Sequence, residues 1–146
     1  VFDTCPLQHL FHLCNTLQCT NNFKMGSQSP KSLLIVDDSP IIIERVIESL
    51  KDHEVVKKIL TASDYKTAIE SLTNHVPGYV LLDIQLPGKS GIDLLKFIVK
   101  EYPNVKVIMF SNLLDDNYIK VCRKIGAKYF IDKSRDFDLI PAMLNN

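Results

Sequence analysis

From Ser32 onward, short apolar runs alternate with amphipathic stretches. The runs Leu33–Val36, Val55–Leu60, Tyr79–Leu82, Val105–Phe110 and Tyr129–Ile131 have the length and composition of buried parallel strands. Between and after them, apolar residues recur at helical spacing over residues 40–51, 64–73, 90–101, 114–125 and 135–144. Several helix starts are marked. Ser39-Pro40 places an N-cap before a proline at the first helical position, and Asp64 and Ser134 are placed to cap the second and fifth helices. Gly126 stands where the fourth helix should stop. Strand and helix alternating five times predicts right-handed crossovers and an α/β fold, a five-stranded parallel sheet with helices on both faces.

The first thirty residues differ. Residues 1–24 hold Cys5, Cys14 and Cys19, two of the four histidines and a single Lys, and Met25–Pro30 is small and polar. The expected division is an N-terminal extension over 1–30 and a folded domain over 31–146. The extension reads as upstream sequence before a natural start at Met25. The alternative is a short docking helix, since Leu7, Leu10, Phe11, Cys14 and Leu17 keep helical spacing. Cys5, His9, His12, Cys14 and Cys19 are zinc-ligand types, but their spacing matches no common zinc module. Only Cys122 lies in the main domain, so a disulfide framework is excluded there, and free thiols point to the cytoplasm. Before Lys24 the only charge is Asp3, so a signal peptide's positive start is missing.

Composition narrows the class. With 17 Lys plus Arg against 17 Asp plus Glu, the chain has no basic excess for direct nucleic-acid binding or a polybasic membrane anchor. At 46% hydrophobic and 23% charged, its 146 residues suit one globular domain, which needs no metal or disulfide to fold. No apolar run approaches the roughly 18 residues needed to span a membrane.

In open parallel sheets, ligands collect at the carboxyl ends of the strands. There the first strand runs into Asp37-Asp38, the third into Asp83, the fourth into Ser111 and the fifth into Asp132-Lys133. Clustered carboxylates repel unless a cation neutralises them, and oxygen-only ligands completed by water favour Mg²⁺. A carboxylate beside a metal and a lysine can act as a nucleophile toward phosphorus, with the cations and a hydroxyl stabilising the transferring group. Singly, each residue has a plainer role: Asp38 a helix cap, Ser111 a turn residue, Lys133 a surface charge. Their order across successive strands carries the chemistry.

Over about residues 31–146 the sequence resembles the receiver domain of two-component response regulators. The segments that carry the likeness are Leu33–Ser39, Val80–Gly88, Gly91–Leu95, Val107–Ser111 and Gly126–Lys133. The resemblance implies the flavodoxin-like doubly wound (βα)5 fold, with Asp83 as phosphoacceptor. It implies Asp37 and Asp38 as the acidic pair that holds Mg²⁺ with Asp83, and the Gln85 main-chain carbonyl as a further ligand. Ser111 corresponds to the switch hydroxyl, Phe130 to the switch aromatic and Lys133 to the lysine that contacts the phosphoryl group. The implied partners are a histidine kinase or phosphotransfer protein and an unknown downstream protein that reads the face of the fourth helix, fifth strand and fifth helix. Small phosphodonors can also serve the family. The domain catalyses only its own loading and hydrolysis and is otherwise no enzyme. Ile119, Arg123, Lys128 and Tyr129 are expected on the output face.

Four positions stand out against the family pattern. Ser134 follows Lys133 where a proline is usual, so a trans peptide or local strain is expected there. Asn112 follows the switch hydroxyl where a smaller residue is common, narrowing access. Gln85 and Leu113 occupy positions that tune water access, and an apolar Leu113 predicts slow self-dephosphorylation. Because the chain ends just after the fifth helix, the expected form is a stand-alone receiver, the alternative being one excised from a longer regulator. A metal-dependent phosphatase with Asp83 as nucleophile is disfavoured, since Gln85 stands where its acid/base residue would be.

Overall fold

Alternation along the strands sorts side chains onto two faces, and each face builds its own core. The computed structural model describes residues 31–146. Strands β1 (Lys31–Val36), β2 (Val56–Ala62), β3 (Tyr79–Leu82), β4 (Lys106–Ser111) and β5 (Tyr129–Asp132) form one parallel sheet in the order β2-β1-β3-β4-β5. This is the doubly wound flavodoxin-like arrangement. Helices α1 (Pro40–Leu50), α2 (Tyr65–Asn74), α3 (Gly91–Glu101), α4 (Asp116–Ile125) and α5 (Ile140–Leu144) connect and flank the strands.

On one face Leu33, Ile35, Leu81, Ile108, Phe110 and Ile131 pack with Val46 and Leu50 of α1 and Ile140 and Leu144 of α5. On the other, Leu34, Val36, Val80, Leu82, Val107 and Met109 pack with residues of α2, α3 and α4, among them Leu72, Leu95 and Cys122. Burial pushes the Cys122 thiol pKa up from its ordinary value, which fits a packing residue and not a reactive one.

The elements fall where the hydrophobic pattern puts them, with instructive differences. β2 is one of the two edge strands and is not buried throughout: Lys57 and Lys58 are exposed. Asp64 caps α2 in a reciprocal capping box with Thr67. Gly126 ends α4 with φ 136°, a conformation that favours glycine. Ser39 does precede α1, with Pro40 in the first turn, but its side chain makes no cap bond. Ser134 caps no helix. The turn from Asp132 to Asp136 uses the residues expected to start the fifth helix, which shortens to α5 after a 3₁₀ turn at Phe137–Leu139. The extension over 1–30, its helical spacing and its Cys/His cluster lie outside the described residues. Among the described residues, no helix is long and apolar enough to cross a membrane.

Gly91 is the tightest point of the fold. A Cβ there would lie 1.8 Å from the Asp83 carbonyl oxygen, and the Gly91 N–H donates to the Ile84 carbonyl at 2.8 Å. Only a residue without a side chain lets α3 start this close to the end of β3. Gly91→Ala should therefore lower the stability of the domain by about 1–3 kcal/mol, the usual cost of overpacking, read as a lower urea midpoint.

Candidate functional site

The strand order reverses between β1 and β3, since β1 leads to β2 on one side and the chain returns to β3 on the other. A crevice opens at the carboxyl ends of strands around such a point. Backbone ladders set the residues at its rim. The Asp37 N–H donates to the Ala62 carbonyl and the Asp83 N–H to the Val36 carbonyl, both at 3.0 Å. Asp37 is therefore held between β1 and β2, and Asp83 beside Asp37. Each carboxylate is also gripped by its own loop. Asp37 Oδ1 accepts from the Ser39 N–H at 2.9 Å, and Asp83 Oδ1 accepts from the Gln85 N–H at 3.2 Å.

The remaining oxygens face a cation. Lys133 Nζ lies 2.5 Å from Asp37 Oδ2 and 2.6 Å from Asp83 Oδ2, with Asp37 wholly buried and Asp83 nearly so. It donates a hydrogen bond to Asp83. Toward Asp37 it is an ion pair only, because Asp37 Oδ2 is buried with no partner in hydrogen-bond geometry. The Lys133 ammonium also sits 5.5 Å from the centre of the Phe110 ring, a cation–π contact. Phe110 and Gly91 lie within segments that carry the likeness, but the sequence assigned neither a role at the site. Their signals were weak: an aromatic inside a strand, and a glycine at the start of a helix.

Asp38, which is exposed, completes a group with Asp37 and Asp83 whose carboxylate oxygens lie within 4.8 Å of one another. Three carboxylates against one ammonium leave local charge uncompensated. That excess negative charge and an all-oxygen ligand set both fit a hard divalent ion such as Mg²⁺.

Ser111, buried at the end of β4, accepts from the Leu113 N–H at 3.3 Å, so its hydroxyl oxygen is engaged by its own loop. Phe130 in β5 is half-buried against the α2–α4 core, under the Arg123 guanidinium at 5.5 Å from its ring centre. Arg123 and Lys128 are exposed and Ile119 and Tyr129 half-buried, which sets them at the surface around α4 and β5. Gln85 and Asn112 are exposed at the rim.

With this geometry in view, comparison with known proteins is decisive. The family model for the response regulator receiver domain matches residues 33–145. The chain belongs to the response regulator receiver family. Among curated proteins, the receiver is similar to the fimbriae Z protein of Salmonella typhimurium, at 30% identity over 109 residues, covering 75% of this chain and 52% of that protein. It also matches the transcriptional regulatory protein DegU of Brevibacillus brevis, at 27% identity over 74% of this chain and 46% of DegU. The chain thus spans about half the length of the curated relatives it matches. Among solved structures, the non-phosphorylated receiver domain of the stress response regulator RcsB from Escherichia coli superposes with a TM-score of 0.74 at 21% identity, over 80% of this chain and 92% of that one. The response regulator DrrB from Thermotoga maritima gives 0.69 at 23% identity, over 77% of this chain and 50% of that one. Both confirm the fold.

Two outcomes follow from the site's charges. Asp38→Asn should raise the metal-free receiver's stability by on the order of 1 kcal/mol, since one of three repelling charges is lost, while the stabilisation that Mg²⁺ confers should shrink. Thermal unfolding with Mg²⁺ and with EDTA reads both. Separately, hydrogen bonds from the Ser134 side chain and N–H hold the Asp132 carboxyl pKa below its ordinary 3.8. A depressed carboxyl contributes stability above the unfolded pKa and loses it as pH falls through the folded value. The stability gap between the parent receiver and Ser134→Ala should be full at neutral pH and narrow under acid below about pH 4, in urea titrations across that range.

Proposed function

We propose that this receiver is a Mg²⁺-dependent phosphoacceptor in which Asp83 takes a phosphoryl group from a histidine kinase or phosphotransfer protein. The observation that carries this reading is the Lys133 ammonium placed between two buried carboxylates, one of them at the end of β3. An Asp83 carboxylate oxygen attacks phosphorus, the O–P bond forms, and the bond from phosphorus to the donor's nitrogen or oxygen breaks. Mg²⁺, held by Asp37, Asp38, Asp83 and the Gln85 carbonyl, supplies charge neutralisation for the transferring group when bound. Lys133 already lies within reach of Asp83 and turns one N–H toward a phosphoryl oxygen.

Phosphorylation adds about −1.5 to −2 charge at Asp83. Ser111 exchanges its bond with the Leu113 N–H for one to a phosphoryl oxygen and frees space beside β5. Phe130 then repacks against β4, and because phenylalanine has no hydroxyl, the coupling is by packing alone. The altered face of α4, β5 and α5 is read by a downstream protein or output module. In this reading the domain works in the cytoplasm and catalyses no reaction beyond its own loading and hydrolysis.

The test is the intact mass of the protein after incubation with acetyl phosphate and Mg²⁺. One phosphoryl group should be gained, with release of acetate, and the gain should be absent with EDTA and in Asp83→Ala. Loading of Asp83→Ala to the same extent, or no loading of the parent chain by acetyl phosphate or a phosphorylated kinase, would overturn the assignment. Because Leu113 offers no polar group to position water, the loaded form should persist for minutes or longer at neutral pH. A half-life of seconds rules out that role for Leu113.

A further inference from the structure

Lys133 is the one cation between Asp37 and Asp83 among the described residues, so the backbone that carries it must be accurately placed. The segment is built for this in an unusual way. All described peptide bonds are trans, including Lys133–Ser134, and no proline follows the lysine. Instead the residues on either side of Lys133 are tied to each other. Asp132 Oδ1 accepts from the Ser134 N–H at 2.8 Å and from the Ser134 hydroxyl at 2.5 Å. The Asp132 carbonyl accepts from the Arg135 N–H at 3.3 Å and the Asp136 N–H at 2.9 Å, and the Asp132 N–H donates back to the Asp136 carboxylate at 3.4 Å. Lys133 is the apex of this closed loop.

The loop is anchored at both ends. On its entry side, Asp132 is the last residue of β5, in register with Ser111 of β4. On its exit side, Phe137 packs edge-on against Phe110 at 5.5 Å between ring centres, and Phe110 in turn carries the Lys133 ammonium over its ring. The Arg45 guanidinium of α1 covers Phe137 at 4.5 Å. The loop is thus tied to β4, to the end of β5 and to α1.

We propose that Asp132 and Ser134 are positioning residues that lock the loop around Lys133 and thereby hold its ammonium at Asp37 and Asp83. Neither reaches the reacting atoms. They act by restricting the backbone on both sides of the lysine, as a proline would restrict it on one. Asp132 needs only an acceptor oxygen to do this, and Ser134 needs its hydroxyl and its N–H. The inference rests on the reading of Asp83 and Lys133 given above.

The experiment is the rate of phosphorylation by acetyl phosphate in excess Mg²⁺, followed by intact mass. Asp132→Ala should slow loading about tenfold or more, the scale on which small misplacements of a reacting group act. Asp132→Asn keeps the acceptor oxygen and should retain most of the rate. Ser134→Ala, which removes one of the two donors, should lie between. The decisive comparison is a double-mutant cycle with Lys133→Ala. If Asp132 acts only through Lys133, adding Asp132→Ala to that background should change the slow residual rate by less than twofold. The proposal is overturned if Asp132→Ala loads like the parent, if Asp132→Asn is as slow as Asp132→Ala, or if the full tenfold effect persists without Lys133. Failure of the parent chain to load at all is a different result and strikes the phosphoacceptor reading, which only the parent arm tests.

Discussion

The structure turns on one electrostatic constraint: carboxylates gathered at one end of a parallel sheet must share a cation. Asp37 and Asp83 are buried within reach of a single ammonium, and their burial weakens screening by solvent. Lys133 meets that need in part. It hydrogen-bonds to Asp83 and pairs with Asp37, which leaves the group of three carboxylates with excess negative charge for a second cation. The same arrangement that makes the rim costly makes it a fitting place for a phosphoryl group, whose negative oxygens need the cations that the carboxylates gather.

Placement of those charges is a property of the whole sheet. Beyond a register shift between Lys31 and Ser32, the strands keep register to their carboxyl ends, so the residues just past those ends are brought together by backbone ladders. Two alternating cores fix the sheet from both sides, and α3 is drawn against β3 where Gly91 leaves room for the Asp83 carbonyl. The site is rigid on this side. On the side of β4 and β5 two side chains are held more loosely: the Ser111 hydroxyl is bonded only within its own loop, and Phe130 is half-buried under an exposed arginine. A receiver whose charged rim is firm and whose neighbouring face can repack suits the proposed switch, because a local change of charge is then expressed where packing can change most.

Much of this was legible in the residues. Short apolar runs, helix ends marked by Asp64 and Gly126, and five strand–helix repeats determined a parallel α/β fold, because burial on both faces of a sheet admits few other arrangements. Acidic, hydroxyl and ammonium groups following successive strands marked one rim. The sequence could not say what a residue does when two local roles compete. Ser134 has the form of a helix cap, yet its hydroxyl and N–H both turn back to Asp132, because the chain must first form the loop that carries Lys133. Ser39 likewise precedes a helix, but it is its N–H that is used, by Asp37. Only the tertiary structure decided that Lys133 faces both buried carboxylates, that Phe110 lies under its ammonium and that Gly91 touches the Asp83 backbone. Those contacts join residues up to dozens of positions apart, and local pattern carries no information about distances across the sheet.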